Sequence, residues 1–507
     1  MKTTFSTNNK ILNDKYQAAV EGLRANIINP FPVDGENNDM PILIEGGGYN
    51  GVWLECGPLE GLVYGLLYEM DVALANHSIF FKYQHEDGYI PFAFIKGEKR
   101  TSQIQMVVPI AKTALEVYEY TKDDNFLITA YNACSKWDMW LSKYRDSRNL
   151  ELCELFCEYD TGHDNSGRFD HPDGRIPKPC PDNDARKCNQ IGALPWLAPD
   201  LSATLYGGRI ALSKMAKIMG MDREAEKWRQ KAEATKNAIM TYLFDAETLC
   251  FYDLDNKGKY VRIISDVLSR VLCEHVVDGR LFEEIFKRHI INPEGFWTPY
   301  PMPSVAAGDP KFNHNLPPNC WGGPTQALTA LRAPRWFEYY GKPSYLVHVM
   351  KQWIKALLKA EDFMQQMNPW TGEFSTGKKY SPAMCVMIDY VSRLYGVREN
   401  AETKTLEWNC RMPEDASEYR YETMTRHGKS VISSISADDN SGYKYRLNLN
   451  GKDLYIIKGI CRIVTDTEGK IIKVIGTSDK TENIEIDNCN GLIWKIEIDS
   501  DQEKMCN

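Results

Sequence analysis

The chain of 507 residues is long enough for one large domain plus a small one, or for three domains of ordinary size. Its hydrophobic content of 43% and charged content of 25% are typical of a globular protein and exclude a disordered or fibrous chain. The net charge of −9 argues against nucleic acid or an anionic membrane as a partner, because both attract clustered Lys and Arg.

The first residues read MKTTFSTNNKILNDKYQ and lack the apolar run of roughly 7–15 residues that a signal peptide needs. Elsewhere no apolar run approaches the roughly 18 residues of a membrane span. We therefore predict a cytoplasmic protein. The 14 cysteines are scattered singly, without a C-x-x-C pair, which predicts reduced core thiols rather than a zinc or redox site.

From about residue 60 to 400, apolar residues recur at helical spacing between short turns. Three stretches each predict two amphipathic helices joined by a short turn, at 115–141, 204–244 and 336–360. Three long segments rich in Pro, Gly, Asn and Trp interrupt them, at 30–58, 158–200 and 292–325. Loops this long in a compact domain are usually functional. We predict a scaffold of helical hairpins with the chemistry on loops at one end.

The pattern changes after about residue 405. Residues 443–459 alternate apolar and polar side chains around Asn450-Gly451, a strong hairpin signal. Three further short strands are predicted between turn residues, at 469–479, 482–488 and 491–499. We predict a helical domain at 1–404 and a β-sandwich-like accessory domain at 405–507, which lacks a dense set of reactive residues and is expected to be structural.

Residues 158–171, EYDTGHDNSGRFDH, pack four acids and two histidines among glycines. Asp160 and Asp164 lie on a Gly-containing turn with Asn165 and Arg168. An Asp beside an Asn and an Arg can have its pKa tuned and its orientation fixed, as a general acid requires. Two alternatives are a plain structural turn and a calcium loop, although the ligand spacing and terminal Glu of a calcium loop are absent.

Several further loops combine Trp, Gly and Pro with polar residues beside helix ends. Trp53 and Glu55 precede a Gly-Pro turn, Gln105 lies just ahead of a helix, and Trp321 begins the sequence Trp-Gly-Gly-Pro. Ordinary loop packing explains any one of them. Together they indicate one lined pocket.

The order of these segments resembles the inverting glycosidases of glycoside hydrolase families 37 and 63, the trehalases, processing α-glucosidases and mannosylglycerate hydrolases. In those families an E-S-G-x-D-N segment carries the general acid, and residues 160–165, DTGHDN, are similar in register. The stretches EDGYIP, FWTPYPMPS and CWGGP resemble the family's D-G-x-I-P, F-x-x-P-x-P-S and W-R-G-P. The resemblance covers about residues 40–397.

The resemblance implies a mainly α fold, an (α/α)6 toroid that forms the catalytic domain, with the β-domain beside it. It implies an inverting hydrolase without metal or cofactor, acting on a small, α-linked glucoside or oligosaccharide. The general acid falls on Asp164, and the base falls four residues ahead of Pro369, on Gln365. The residues expected to hold the sugar are Trp53, Glu55, Gln105, Asp160, Asn165, Arg168, Trp321 and Glu373.

Asp160 replaces the Glu of the family's acid motif, and two further departures affect the chemistry. Gly322 replaces the Arg of W-R-G-P, and Gln365 replaces the Glu that deprotonates the attacking water. A neutral amide cannot accept that proton, so the chain as it stands is expected to hydrolyse poorly.

Four explanations of Gln365 stay open: a Glu→Gln substitution introduced to trap substrate, a base moved to Glu361 or Glu373, a phosphorylase that uses phosphate as the nucleophile, and a protein that only binds sugar. A sugar epimerase is a further alternative, because (α/α)6 barrels also host those enzymes. The sequence permits a homo-oligomer and leaves the sugar unidentified.

Overall fold

The computed structural model describes residues 3–188, 190, 192–315, 318–435, 443–489 and 491–506. Twelve α-helices form within these residues: α1 (Lys10–Ala25), α2 (Gly57–Leu67), α3 (Met70–Lys82), α4 (Ile110–Thr121), α5 (Asp124–Tyr144), α6 (Pro199–Ile218), α7 (Asp222–Ala238), α8 (Val267–Cys273), α9 (Gly279–Ile285), α10 (Ala327–Phe337), α11 (Pro343–Lys359) and α12 (Ser381–Tyr395). None of the helices in these ranges is both long and apolar enough to cross a membrane.

Six of the helices close into a ring. In order, α2, α4, α6, α8, α10 and α12 each contact the next, and α12 returns to contact α2. Helices α1, α3, α5, α7 and α11 pack against the outside of this ring. The sixth outer helix is α9, whose Phe282 ring lies against the Trp336 ring of α10. The alternation of inner and outer helices is the (α/α)6 arrangement that the resemblance implied.

The inner helices are apolar on nearly all sides because neighbours surround them, as α12 and α2 illustrate. Close packing of α2 on α3 depends on glycine. A Cβ atom on Gly61 would lie 2.7 Å from the Cβ of Asn76, and one on Gly65 would lie 2.7 Å from the Cβ of Ala73. The outer helix α11 instead buries one face, which includes Leu346, Met350 and Trp353.

Each inner helix is linked to the next through an outer helix, so the inner helices run in the same direction. Their N-terminal ends therefore share one end of the ring, where the long loops form small antiparallel sheets. One sheet joins Gly51–Trp53, Ala93–Ile95 and Glu98–Arg100; a second joins Thr325–Gln326, Gln366–Met367 and Phe374–Ser375; a third joins Tyr260–Val261, Asp253–Leu254, Trp196–Leu197 and Glu154–Leu155.

Short elements complete the helical part. Three two-stranded pairs join Ile27–Ile28 with Ile42–Leu43, Phe31–Val33 with Glu36–Asn38, and Phe244–Asp245 with Cys250–Phe251. Single 3-10 turns lie at Glu158–Asp160, Gly167–Phe169 and Pro181–Asn183, and π turns at Ile239–Leu243 and Phe286–Ile290.

The C-terminal part contains two antiparallel sheets. One has, in spatial order, Thr4–Thr7, Tyr419–Thr425, Gly428–Ile435, Lys444–Leu449, Lys452–Lys458, Glu482–Asp487 and Leu492–Ile498. The other has Val397–Asn400, Thr405–Cys410, Cys461–Asp466, Ile471–Ile475 and Glu503–Met505. The predicted hairpin at Asn450-Gly451 is present, with positive φ angles of 53° and 83° at its two central residues.

Two strands of these sheets lie outside the predicted range 405–507. They are Thr4–Thr7 at the start of the chain and Val397–Asn400 just after α12. The division at residue 404 stays a prediction. Because strands are numerous, a helical ring with an attached pair of β-sheets describes the fold better than the term mainly α.

Candidate active site

Asp164 and Gln365 lie on different loops, and the side-chain amide of one residue joins them. The Nδ2 of Asn319 donates to the Oδ2 of Asp164 at 2.7 Å, and the Nε2 of Gln365 donates to the Oδ1 of Asn319 at 2.7 Å. The hydroxyl of Tyr49 donates to the Oε1 of Gln365 at 3.0 Å. The two positions singled out as acid and base are therefore side by side at the loop end of the ring.

Backbone contacts fix both residues. The carbonyl of Asp164 accepts from the N–H of Trp321 at 3.0 Å. This bond holds residues 158–171, here called the acid loop, against the loop that carries Asn319. The N–H of Gln365 donates to the carbonyl of Thr376 at 3.0 Å, and its carbonyl accepts from the N–H of Ala327, the first residue of α10, at 2.9 Å. Gln365 is thus held at the start of an inner helix.

The electrostatic setting of Asp164 favours the protonated carboxyl. Burial, followed by repulsion from Glu55 and Glu158, raises the pKa of Asp164 to about 8, while the hydrogen bond from Asn319 acts in the opposite direction. The Oδ1 atom of Asp164 has no hydrogen-bond partner among the described residues and is not sealed from the surface. A protonated carboxyl with one accessible oxygen is the form that a general acid needs.

Glu55 lies deeper in the same site. Its Oε2 accepts from the Nε2 of Gln105 at 2.6 Å, and its Oε1 is buried with no partner among the described residues. Burial raises the pKa of Glu55, and the nearby guanidinium of Arg270 partly opposes this effect. Gly162 covers the carboxylate, because a Cβ atom at this position would stand 2.6 Å from the Oε1 of Glu55.

Two tryptophans line the interior of the site. Trp53 and Trp321 belong to one hydrophobic cluster with Phe92. The Trp53 ring meets the ring of Tyr49 edge-on, with centroids 5.6 Å apart. On Trp321, the guanidinium carbon of Arg270 lies 5.2 Å from the ring centroid, a cation–π arrangement. Trp53, Glu55, Gln105 and Trp321 are therefore brought together around Asp164, as the sequence indicated.

Arg168 was expected to hold the sugar, but it is fully buried behind the loop. It pairs with Asp200 through two bonds of 2.8 Å and with Asp253 through two bonds of 2.7 Å, and it donates to the Nδ1 of His163 at 2.8 Å. Because arginine only donates, the hydrogen of His163 is on Nε2, which faces the Oδ1 of Asp266 at 2.6 Å. Burial lowers the pKa of His163 to about 4, in keeping with a neutral ring. Arg168 orients the acid loop and does not face a ligand.

Asp160 is a second correction of the same kind. Its side chain is fully buried and pairs with Arg145. It also accepts from the backbone N–H groups of Ile104 and Phe156, each at 3.0 Å. Every part of this carboxylate is used to hold the loop, so none remains for a sugar.

The exposed acids Glu361 and Glu373 do not reach the Asp164–Asn319–Gln365 group. Glu361 pairs with Lys378 at 2.9 Å at the surface, and Glu373 accepts from the hydroxyl of Thr371 at 3.3 Å. Neither position supports a relocated base, and the exposed Glu373 is not among the groups that contact Asp164, Asn319 or Gln365. Asn165 takes a supporting position, since its Nδ2 donates to the carbonyl of Asn319 at 2.9 Å.

Sequence reasoning passed over Asn319 and Tyr49. Both lie in segments that had been singled out, close to Trp321 and Trp53 respectively, but neither residue type alone signals a role. Their partners are 155 and 316 residues away in the chain. Only the folded arrangement reveals them.

A possible metal position near the acid loop does not fit a cation. Among the described residues, Cys157, Asp160 and Cys180 bring ligand atoms within 4.8 Å of one another. Arg145, however, pairs with Asp160 and directs its Nη2 to the sulfur of Cys180 at 3.6 Å. A guanidinium in that place neutralises the carboxylate and repels a metal ion.

The family model described as the mannosylglycerate hydrolase MGH1-like glycoside hydrolase domain matches residues 65–381. The chain belongs to this family. This MGH1-like glycoside hydrolase has both Asp164 and Gln365 within the matched range, whereas Tyr49, Trp53 and Glu55 precede it. The resemblance stated from the sequence is thereby confirmed, and the chain is a glycoside hydrolase by family.

Solved structures share the fold of this MGH1-like glycoside hydrolase. The family 63 mannosylglycerate hydrolase of Thermus thermophilus has a TM-score of 0.61 at 17% identity and covers 74% of this chain and 99% of its own. The neutral trehalase of Saccharomyces cerevisiae has a TM-score of 0.53 at 13% identity, covering 69% and 73%. A family 78 rhamnosidase of a Bacillus species has a TM-score of 0.59 at 11% identity, covering 88% and 41%. No curated protein sequence matches significantly.

Proposed function

We propose that the site is built for hydrolysis of a glycosidic bond with inversion, with Asp164 as the general acid and position 365 as the place of the base. The observation that carries this proposal is the Asn319 amide, which hydrogen-bonds to both side chains at 2.7 Å. One amide and two hydrogen bonds keep the two side chains within about 8 Å of each other. The carboxyl groups of inverting glycosidases are separated by roughly 6.5–9.5 Å, which leaves room for a water molecule.

In this reaction Asp164 gives its proton to the leaving oxygen as the bond to the anomeric carbon breaks. A water molecule attacks that carbon from the opposite face, and its proton passes to the base. The raised pKa of Asp164, about 8, keeps the acid protonated at neutral pH. The rigid support of the loop by Arg168 and Asp160 limits movement of the acid.

With Gln365 in place the water has no strong acceptor at this position. Both ends of the Gln365 amide are nevertheless matched, since Oε1 accepts from Tyr49 and Nε2 donates to Asn319. With Asn319 in its present orientation, a carboxylate at position 365 would face the Oδ1 oxygen of Asn319, which cannot donate a hydrogen bond to it. This pattern favours a second candidate function, in which the chain with Gln365 binds its sugar and hydrolyses it slowly.

The proposed ligand is a small, α-linked glucoside or related oligosaccharide. The Thermus thermophilus relative was solved in complex with glucose, which supports a hexose as part of the ligand. Location in the cytoplasm and formation of a homo-oligomer remain predictions.

The test compares three proteins: the chain itself, Gln365→Glu, and Gln365→Glu combined with Asp164→Asn as the matched control. Each is assayed on a panel of α-glucosides that includes trehalose and on mannosylglycerate, and ¹H NMR follows the first anomer released. We expect Gln365→Glu to be at least about 100-fold faster than the chain itself and to release the inverted anomer, and the added Asp164→Asn change to abolish the gain.

Other results would decide against the proposal. No gain for Gln365→Glu on any substrate would remove position 365 from the mechanism. Sugar phosphate formed only when phosphate is present would identify a phosphorylase. Saturable binding of the sugar without turnover, by the chain itself and by Gln365→Glu, would support the binding function. Interconversion of free sugars would identify an epimerase.

A further inference from the structure

A second cavity lies outside the candidate active site, where helix α11 meets the C-terminal sheets. It has a volume of about 680 Å³, within the range of small-molecule sites. Its lining comes from four places: Lys351 on α11, residues 411–413 with Asp415 and Ala416, the strand ends around Tyr443 and Lys458, and residues 480–483. None of the residues assigned to the candidate active site lines it.

The charge of the cavity is opposite to that of the chain. Its lining carries four cationic side chains, Lys351, Arg411, Lys458 and Lys480, and two acidic ones, Asp415 and Glu482. The whole chain has a net charge of −9. Clustered cations in an acidic protein make a local field that attracts anions.

Among the described residues, Arg411 is one of the two cavity cations that form no ion pair. Its Nη2 donates to the carbonyl of Thr477 at 2.7 Å and to the hydroxyl of the same residue at 3.3 Å. Within the described ranges no carboxylate lies within ion-pair distance of Arg411, whereas the buried Arg168 and Arg462 each have two. Burial lowers the pKa of Arg411, and the nearby carboxylates of Glu482 and Asp479 oppose this effect only in part. A planar guanidinium of this kind is suited to a carboxylate, which it binds through two parallel hydrogen bonds.

Lys480 has no ion pair among the described residues, and it stands at the rim of the same cavity. The other two lysines are engaged, Lys351 with Glu414 at 2.6 Å and Lys458 with Glu485 at 3.8 Å. Two cations of the cavity, one inside and one at the rim, are therefore available to a ligand.

An aromatic ring completes the site. Tyr443 is 43% exposed, and its hydroxyl donates to the carbonyl of Ala416 at 3.2 Å, which fixes the ring at the cavity wall. The ring of Tyr445 is buried beside it. A fixed, exposed aromatic face is a platform for the apolar face of a sugar ring.

We propose that this cavity binds an acidic saccharide, a short sugar chain with a carboxylate-bearing unit, whose carboxylate contacts Arg411 and whose ring lies on Tyr443. The volume suits one or two sugar units. The β-domain, expected from the sequence to be structural only, thereby has a binding role that is separate from hydrolysis. This inference does not depend on the roles proposed for Asp164 and Gln365.

Isothermal titration tests it with a glucuronic-acid-containing disaccharide, the corresponding neutral disaccharide and inorganic phosphate. We expect the acidic disaccharide to bind with an affinity that falls as salt is added, and the neutral sugar to bind at least about tenfold more weakly. Arg411→Gln and Tyr443→Ala should each weaken binding about tenfold or more. Asp164→Asn should leave it unchanged, which separates this site from the active site.

Lys452→Gln is the matched control for Arg411→Gln. It also removes one positive charge, but at the far end of the strand that carries Lys458. If Arg411→Gln does not fold, as judged by circular dichroism, the exposed Lys480→Gln and Tyr443→Ala variants decide. Equal binding of acidic and neutral disaccharides, equal affinity for phosphate and the acidic disaccharide, or unchanged binding in the Lys480 and Tyr443 variants would each overturn the proposal.

Discussion

The carboxylate of Glu55 lies directly against Gly162, so closely that a Cβ atom on this glycine would stand 2.6 Å from its Oε1. Gly162 also has a positive φ of 66°, which residues with a side chain rarely adopt. We expect Gly162→Ala to lower the free energy of unfolding by about 2–4 kcal/mol through overlap and backbone strain together. Urea unfolding measures this change.

The control for this variant is Gly220→Ala. Gly220 has a similar φ of 74°, but nothing lies within 4 Å of the added Cβ. It should show the backbone cost alone, about 1 kcal/mol. Equal effects of the two substitutions would mean that the contact with Glu55 adds nothing.

The pKa of Asp164 predicts the alkaline limit of hydrolysis. A general acid must be protonated, and the carboxylate introduced by Gln365→Glu raises the pKa of Asp164 further, so activity of that enzyme should fall as pH rises above about 8. Asp164→Asn should lower kcat by about 10²–10⁴-fold and remove this limb of the pH profile. A profile whose alkaline limb persists in the Asp164→Asn enzyme would assign the proton to another group.

Asn319 should influence the pH at which activity falls on the alkaline side. Its hydrogen bond stabilises the charged form of Asp164 and so lowers the pKa of that carboxyl. In the Gln365→Glu background, Asn319→Ala should shift the alkaline limb upward in pH while it lowers kcat, because the acid is then held less firmly. Asn315→Ala, on the same loop, is the control. A downward shift in the Asn319 variant would contradict the assigned direction.

Glu60 should make the fold sensitive to pH. This side chain is fully buried, neither oxygen has a hydrogen-bond partner among the described residues, and burial raises its pKa to about 8. A carboxyl whose pKa is raised in the folded state is neutral below its unfolded pKa, near 4.5, and destabilises the fold increasingly as pH rises from there to about 8.

The slope from one such group is about 1.4 kcal/mol per pH unit. We therefore expect Glu60→Gln to unfold at a higher temperature than the parent at pH 8 but at a similar temperature at pH 4.5. The exposed Glu21→Gln is the matched control. The same pH dependence in Glu60→Gln and in the parent would mean that Glu60 does not titrate in this range.

Among the described residues, removal of Arg168 should leave Asp253 without a cation and Asp200 with only the more distant Arg270, at 3.5 Å. We expect Arg168→Met to destabilise the protein by about 3–5 kcal/mol, because Asp253 would remain unpaired and Asp200 only weakly paired in the interior. Arg186→Gln breaks a surface pair with Asp184 and should cost no more than about 1 kcal/mol. Thermal unfolding of both variants makes the comparison, and a loss in Arg168→Met as small as that in Arg186→Gln would refute a structural role.

The helical hairpins could be predicted from the sequence because their helices have strong apolar periodicity and short connections, whereas their closure into a ring was implied only by the family resemblance. The hairpin at Asn450-Gly451 followed from turn chemistry alone. The strands at Thr4–Thr7 and Val397–Asn400 could not be assigned to the C-terminal sheets, because their partners are set by tertiary contacts and not by local pattern.

Only part of the candidate active site could be predicted from the sequence. Asp164 and Gln365 stand at fixed spacings within motifs, so their juxtaposition could be expected before any coordinates. Asp160 and Arg168 were wrongly expected to bind the sugar, because charged residues in a polar loop are normally exposed. Amino-acid composition does not reveal that a charged side chain is buried and fully paired with opposite charges.

The strand Thr4–Thr7 pairs with Tyr419–Thr425, and the hydroxyls of Thr3 and Thr423 are in contact across 420 residues of chain. During synthesis the first strand leaves the ribosome long before its neighbour exists. The growing polypeptide must therefore keep that segment available while the ring assembles, and a product released early, before Tyr419 is added, would present an unpaired β-edge to other molecules.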